Sequence, residues 1–239
     1  SIGLTHTDLK PENILLVSRK KEIYRPSEGN RRSTSPSGRS STRSKSGAQS
    51  YYVPKKLDIK IIDMGNATWD NESHDSLINT RQYRAPEVIL GCCDWDYKSD
   101  LWCIGCILIE LYTGELYFET HETYEHLAMI EKSRGPIPQW MAKRAENKTD
   151  KYFSSTEHEG IDPRTNSYFI WPKYARSPNS VERVNDLKYI EEVIPTEYPE
   201  FVDLLKRLLT IDPKERISCQ EALEHAFFKR KLTPESKKQ

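Results

Sequence analysis

Three short segments in fixed order constrain this chain more than anything else in it. Asp8-x-Lys10-x-x-Asn13 comes first, Asp63-Met64-Gly65 begins fifty residues after Asn13, and Ala85-Pro86-Glu87 closes the series. Each alone is commonplace, since Asp-x-Lys is usually a solvated surface pair and Asp-x-Gly usually a turn. Their order carries the information. Between the first two lie apolar runs at residues 14–17 and 57–62, which read as two short strands closing a hairpin.

The residue types suit one chemistry. A carboxylate such as Asp8 can accept a hydroxyl proton and hold that oxygen in line with a departing group. Lys10, two residues on, can offset charge spreading over a phosphoryl group. Asn13 and Asp63 offer the oxygen ligands that a hard cation such as Mg²⁺ prefers. Gly65 is expected where the backbone turns sharply. All four side chains are expected to converge on a single pocket floored by an all-apolar helix. Phosphoryl transfer asks for little more than such positioning and charge neutralisation.

The predicted hairpin is interrupted by residues 19–50. This stretch includes Arg31-Arg32-Ser33-Thr34-Ser35-Pro36 and Arg39-Ser40-Ser41-Thr42-Arg43-Ser44. Few large apolar side chains occur there, so disorder is expected. Its serines beside arginines also look like targets for phosphorylation, Ser33, Ser35, Ser40 and Ser44 among them, which would move the segment towards neutrality. The whole chain has 36 basic and 36 acidic residues, so general attraction to nucleic acid is not indicated. Nine Lys/Arg against two Glu give residues 19–50 a charge of +7, leaving −7 elsewhere. Five cysteines include a Cys103-x-x-Cys106 pair in an apolar run, but no second cysteine pair or histidine at ligand spacing accompanies it, so they read as buried thiols of an intracellular protein. No signal peptide or 18-residue apolar run occurs, and no membrane contact is expected.

Helices are predicted from residue 86 onward. A short one starts at Pro86. The next spans 101–112, capped by Ser99 or Asp100 and ended by Gly114, and is apolar nearly all round, which places it at the centre. An amphipathic helix over 124–133 stops at Gly135-Pro136. Residues 139–196 are polar with scattered aromatics and receive no assignment. Apolar spacing predicts a helix over 200–209, and Ser218 caps a last one running to Phe227. The tail from 229 to 239 is charged and expected to fray.

Taken together, His6-Thr7-Asp8 and Arg81-Gln82-Tyr83-Arg84-Ala85-Pro86-Glu87 resemble the CMGC group of protein kinases. Residues 125–132 read Glu-His-Leu-Ala-Met-Ile-Glu-Lys and match six of eight letters of the LAMMER (Clk-type) signature EHLAMMER. The Arg→Lys change at Lys132 removes a planar fork. SR-protein kinases compete, through Asp63-x-Gly65-Asn66-Ala67-x-Trp69 and Thr80-Arg81-Gln82-Tyr83-Arg84. The LAMMER resemblance implies a mainly α, kinase-like C-terminal lobe over 1–228, with a small β-hairpin, an insertion at 19–50 and an activation segment at 63–87. It implies ATP and Mg²⁺ as cofactors, with Asp8, Lys10 and Thr80 catalytic, Lys10, Asn13 and Asp63 binding nucleotide, and Asn13 and Asp63 holding metal. Arg84 matches a substrate-pocket arginine, Asp100 a brace of the catalytic loop, and Glu87 with Arg216 a buried ion pair. Thr7 replaces the arginine that usually grips an activation-segment phosphate, so activity is expected not to need that clamp. Met64 replaces phenylalanine and is expected to fill an apolar slot.

Both candidate families imply Arg/Ser-rich protein substrates, such as splicing factors, and a nuclear or cytoplasmic setting. The 239 residues contain no Gly-rich phosphate loop and no Val-Ala-x-Lys strand. An N-terminal lobe is therefore expected to be absent from this chain and to be its missing partner. The fragment alone is expected to be inactive and to expose apolar surface that this lobe covers. A non-catalytic binding module is the alternative of a different class.

Overall fold

The computed structural model describes residues 2–24, 50–146, 149–153 and 168–229. Ser33, Ser35, Ser40 and Ser44 lie outside them, as does the tail beyond Lys229. In chain order, β1 is Leu4–Thr5, β2 Ile14–Leu16, β3 Lys21–Tyr24, β4 Tyr51–Pro54, β5 Ile59–Ile61 and β6 Thr68–Trp69. Then follow α1 at Pro86–Leu90, α2 at Lys98–Thr113, α3 at Thr123–Arg134 and α4 at Gln139–Lys143. The last five are α5 at Pro178–Asp186, α6 at Ile190–Val193, α7 at Pro199–Leu208, α8 at Cys219–Leu223 and α9 at Ala226–Lys229. Contacts divide the described residues into one unit within 1–13 and 62–229, and another within 14–61.

The second unit is a β-ribbon. β2 pairs antiparallel with β5, as the apolar runs predict, with Leu15 opposite Lys60. The ladder then continues where disorder is expected. β3 pairs with β4, placing Ile23 opposite Tyr52 and Tyr24 opposite Tyr51. Such β-branched and aromatic pairs stabilise a two-stranded ladder, so residues 21–24 correct the expectation for 19–50. Residues 25–49 lie outside the described part. Leu15, Leu16, Val17, Ile59 and Ile61 are each 46–65% exposed, so both faces of this ribbon carry exposed apolar side chains.

The first unit is built around α2. None of residues 101–110 is exposed, and Trp102 and Cys103 are fully buried. Leu101 of α2 packs with Leu204 and Leu208 of α7 and with Ile217. At Gly105 a Cβ would lie 2.8 Å from the Leu209 side chain, so glycine permits the close approach of the chain that follows α7. The predicted stop at Gly114 is present, at φ 80°. The predicted cap is not: α2 starts at Lys98 after Tyr97, because Ser99 Oγ donates back to the Asp96 carbonyl and the Asp100 carboxylate is engaged elsewhere. Residues 111–113 are exposed, so the apolar character expected through Tyr112 ends a turn early as core.

Two further expectations change. α3 is not amphipathic: Tyr124, Glu125, His126, Leu127, Ala128, Met129, Ile130 and Ser133 are all buried. The unassigned stretch explains why. Tyr124 is enclosed by the rings of Tyr152, Phe169, Trp171 and Tyr174, with centroids 4.4–5.9 Å away, and its hydroxyl donates to the Ile170 carbonyl. Arg183 of α5 is ion-paired with Glu125. The last predicted helix is interrupted. Ser218 does cap α8 in a reciprocal box with Glu221, but the chain leaves the helix after Leu223 and restarts as α9.

Candidate active site

A tight loop carries Asp8, Lys10 and Asn13, and several distant groups fix it. Asp100 Oδ2 accepts from the His6 N–H at 2.6 Å, and Oδ1 accepts from the Thr7 N–H at 3.2 Å. His6 Nε2 bonds the Ile62 carbonyl at 2.9 Å, while its Nδ1 accepts from the Asp8 N–H at 3.3 Å, so the geometry assigns the proton to Nε2. The Ile62 N–H donates to the Asn13 carbonyl at 3.0 Å. Thr7 Oγ1 donates to the Asn66 carbonyl at 2.9 Å. The loop is thus joined to the Asp63 segment on both sides of Asp63.

Within this frame Lys10 Nζ donates to Asp8 Oδ2 at 2.6 Å and to Thr80 Oγ1 at 3.3 Å. Thr80 Oγ1 donates to Asp8 Oδ1 at 2.8 Å, and its N–H donates to the same oxygen at 3.2 Å. Burial pushes the Asp8 carboxyl upward, but hydrogen bonds from Lys10 and Thr80 outweigh it and hold the group below its ordinary range. The Lys10 ammonium is raised by the Asp8 hydrogen bond, against burial, with smaller support from Glu12 and Asp63. Asp8 and Asp63 therefore act on one ammonium.

Asn13 Nδ2 donates to the Asp8 carbonyl at 2.9 Å, and its Oδ1 accepts no hydrogen bond among the described residues. Asp63 is exposed, and its carboxylate makes no hydrogen bond or ion pair among them. An amide oxygen and a carboxylate of this kind fit a cation such as Mg²⁺, which keeps several waters and phosphate oxygens and needs few protein ligands. The left-handed turn falls on Asp63, at φ 67°, not on Gly65 as expected; a Cβ on Gly65 would meet nothing closer than 3.8 Å. A non-glycine residue held at positive φ stores strain of the kind that gathers at functional sites. Met64 is 49% exposed and fills no closed slot, which corrects that expectation.

The remaining candidates stand around this centre. Arg84 Nε donates to the Ile78 carbonyl at 2.8 Å and Nη2 to the Asn79 carbonyl at 2.7 Å. Glu87 and Arg216 form a buried two-pronged pair at 2.7 and 2.8 Å. Arg216 also donates to the carbonyls of Thr210, Lys98 and Ile211, which uses all five of its N–H groups. Lys132 reaches the Asn185 carbonyl through its single ammonium. Sequence reasoning missed Asn79, the Tyr83–Glu110 bond of 2.6 Å and Arg134, whose guanidinium donates to the carbonyls of Leu209 and Lys206. Only Arg134 had a signal, as a basic residue in the last turn before Gly135.

The model of the protein kinase domain matches residues 1–228. Serine/threonine-protein kinase AFC3 of Arabidopsis thaliana is 42% identical over 234 residues, covering 95% of this chain and 52% of AFC3. Dual specificity protein kinase lkh1 of Schizosaccharomyces pombe is 39% identical, covering 95% of this chain and 29% of its own length. Dual specificity protein kinase CLK1 of Homo sapiens is 39% identical, covering 94% and 40% respectively. The chain thus spans about half, or less, of these relatives. A crystal structure of a kinase domain superposes with a TM-score of 0.75 at 40% identity, covering 94% of this chain and 59% of that one. With the signature carried by α3 and relatives of the AFC, lkh1 and CLK type, the chain belongs to the protein kinase domain family, in its LAMMER (Clk-type) branch.

Proposed function

We propose that the full-length protein transfers the γ-phosphoryl group of ATP to serine or threonine in Arg/Ser-rich proteins. The observation that carries this reading is the Asp8 carboxylate, hydrogen-bonded by both Lys10 and Thr80 and kept ionised. Asp8 orients the acceptor hydroxyl and takes its proton as the oxygen attacks phosphorus and the bond to the β–γ bridging oxygen breaks. Lys10 neutralises charge on the transferred group, and Thr80 keeps Asp8 and Lys10 in register. Asn13 and Asp63 would hold Mg²⁺, which supplies positive charge against the phosphate oxygens. Arg84 shapes the pocket for the peptide.

The resemblance to SR-protein kinases leaves this substrate class unchanged, and an excess of acidic groups outside residues 19–50 favours basic substrates. The segment with the Gly-rich loop and its lysine is the proposed intramolecular partner, and the 239 residues alone are proposed to be inactive without it. The exposed apolar side chains of the β-ribbon and of Met64 support such a partner. An intracellular setting, nuclear or cytoplasmic, belongs to the same reading, with no nucleic-acid or membrane partner in it. No helix among the described residues is long and apolar enough to cross a membrane.

The test is phosphate incorporation into an Arg/Ser peptide by the full-length protein with ATP and Mg²⁺. Asp8→Ala and Asp63→Ala are each expected to lose roughly 10²-fold or more in kcat, and chelation of Mg²⁺ to abolish transfer. Turnover retained in either variant removes the role assigned to that residue.

A further inference from the structure

Asn79 immediately precedes Thr80 and is buried, with φ 61°. Its N–H donates to the Thr7 carbonyl at 2.8 Å, and its Nδ2 donates to the same carbonyl at 3.0 Å. Its own carbonyl accepts from Arg84 Nη2 at 2.7 Å. The Asn79 Oδ1 is buried without a hydrogen-bond partner among the described residues. Turning the amide over would aim that oxygen at the Thr7 carbonyl, so the orphaned acceptor is the cost of keeping both donors on Thr7.

Thr7 needs such restraint. It is β-branched and sits at φ 71°, a conformation that such residues adopt only when their surroundings impose it. Its N–H is held by Asp100, its hydroxyl by the Asn66 carbonyl and its carbonyl by Asn79. Asparagine is among the few residues besides glycine that enter the left-handed region readily. At position 79 it therefore supplies the conformation and the second donor together.

We propose that Asn79 is a positioning residue: its two donors pin Thr7 in the strained turn that sets Asp8, while its carbonyl seats Arg84. One residue thereby couples the catalytic loop to the peptide-binding segment. This inference rests on the phosphotransfer reading above.

Two substitutions separate its parts. Asn79→Asp keeps the backbone preference but turns a carboxylate oxygen towards the Thr7 carbonyl. Asn79→Gly keeps the left-handed backbone and the N–H and removes only the amide. Hydrogen exchange on the full-length protein is read over residues 5–9 and 78–84, with α2 as the internal reference. Both segments are expected to lose protection together, about fivefold or more in Asn79→Asp and less in Asn79→Gly, while α2 keeps its own. In kinetics with an Arg/Ser peptide, kcat/KM for peptide is expected to fall about tenfold in Asn79→Asp, with KM for ATP within about twofold of wild type. Wild-type protection over residues 5–9 in both variants overturns the proposal. So does an equal loss of ATP and peptide kinetics in Asn79→Gly. If Asn79→Asp loses protection everywhere, Asn79→Gly decides by the same criteria. A wild-type protein inactive on basic peptides overturns the substrate reading instead, and the exchange result still supports or overturns the pin.

Discussion

At Asp8, burial and hydrogen bonding pull in opposite directions, and hydrogen bonding prevails. With its pKa depressed, the stabilisation from this carboxylate is present above the ordinary value of 3.8 and lost as pH falls through the lower folded one. For Lys10, raised above 10.5, the contribution is complete below that value and lost only as pH rises through the higher folded one. A ¹³C titration of the Asp8 carboxyl should give a midpoint below 3.8, and Thr80→Val should move it upward. A midpoint above the ordinary value would show burial to be the stronger influence. Arg216 makes a different demand. Its five donors and the Glu87 pair are almost wholly buried, with side-chain exposures of 0% and 1%. Glu87→Ala or Arg216→Ala should cost about 3–5 kcal/mol in denaturant unfolding, because each leaves its partner charged and buried. Arg216→Lys should recover little of that, since an ammonium cannot reproduce the fork. Unfolding midpoints close to wild type in these variants would mean that water reaches the pair.

Among the elements, α2 and the chain at the end of α7 approach each other closely at Gly105. Gly105→Ala forces a methyl group against Leu209 and Leu208, at 2.8 and 3.2 Å, and should destabilise by about 1–3 kcal/mol. Leu204→Ala, on the facing side, should cost about 2–5 kcal/mol by leaving a cavity. Calorimetry on both variants checks the packing. α3 carries the LAMMER signature inward. Its His126 is pushed down to about 3 by burial, then by Arg84 and Arg81, and its Nε2 has no hydrogen-bond partner among the described residues. Between its ordinary value of 6.5 and about 3, the unfolded chain binds a proton here that the folded chain does not. Stability therefore falls on acidification, by up to about 1.4 kcal/mol per pH unit. His126→Gln should flatten the dependence of Tm on pH between 4 and 6.5, and an unchanged slope would locate that proton elsewhere. The signature thus works mainly as core, which periodicity alone misreads as an amphipathic face.

Over the whole chain, charge is segregated, with +7 on residues 19–50 and −7 on the remainder. KM for a basic peptide should therefore rise several-fold between roughly 50 and 300 mM salt, as screening shortens the reach of the acidic groups. A salt-insensitive KM would remove charge from the account of substrate choice. Much of the architecture was legible beforehand, because the signals were local. The apolar runs of β2 and β5, the start of α1 at Pro86, the stop of α2 at Gly114 and the Ser218 cap each depend on a few neighbouring residues. So does the order of the chemical groups from Asp8 to Glu87. What only the folded molecule decided depends on groups far apart in sequence. Asp100 leaves its helix cap for amides 94 and 93 residues away, and Arg216 meets Glu87 across 129. The aromatic enclosure of Tyr124, the half-exposed Met64 and the left-handed turns at Thr7, Asp63 and Asn79 belong to the same class. Strain such as that at β-branched Thr7 has no local signature, since it persists only where distant hydrogen bonds over-determine the backbone. The residue chemistry was written in the chain, and its alignment came from contacts between segments that the chain keeps apart.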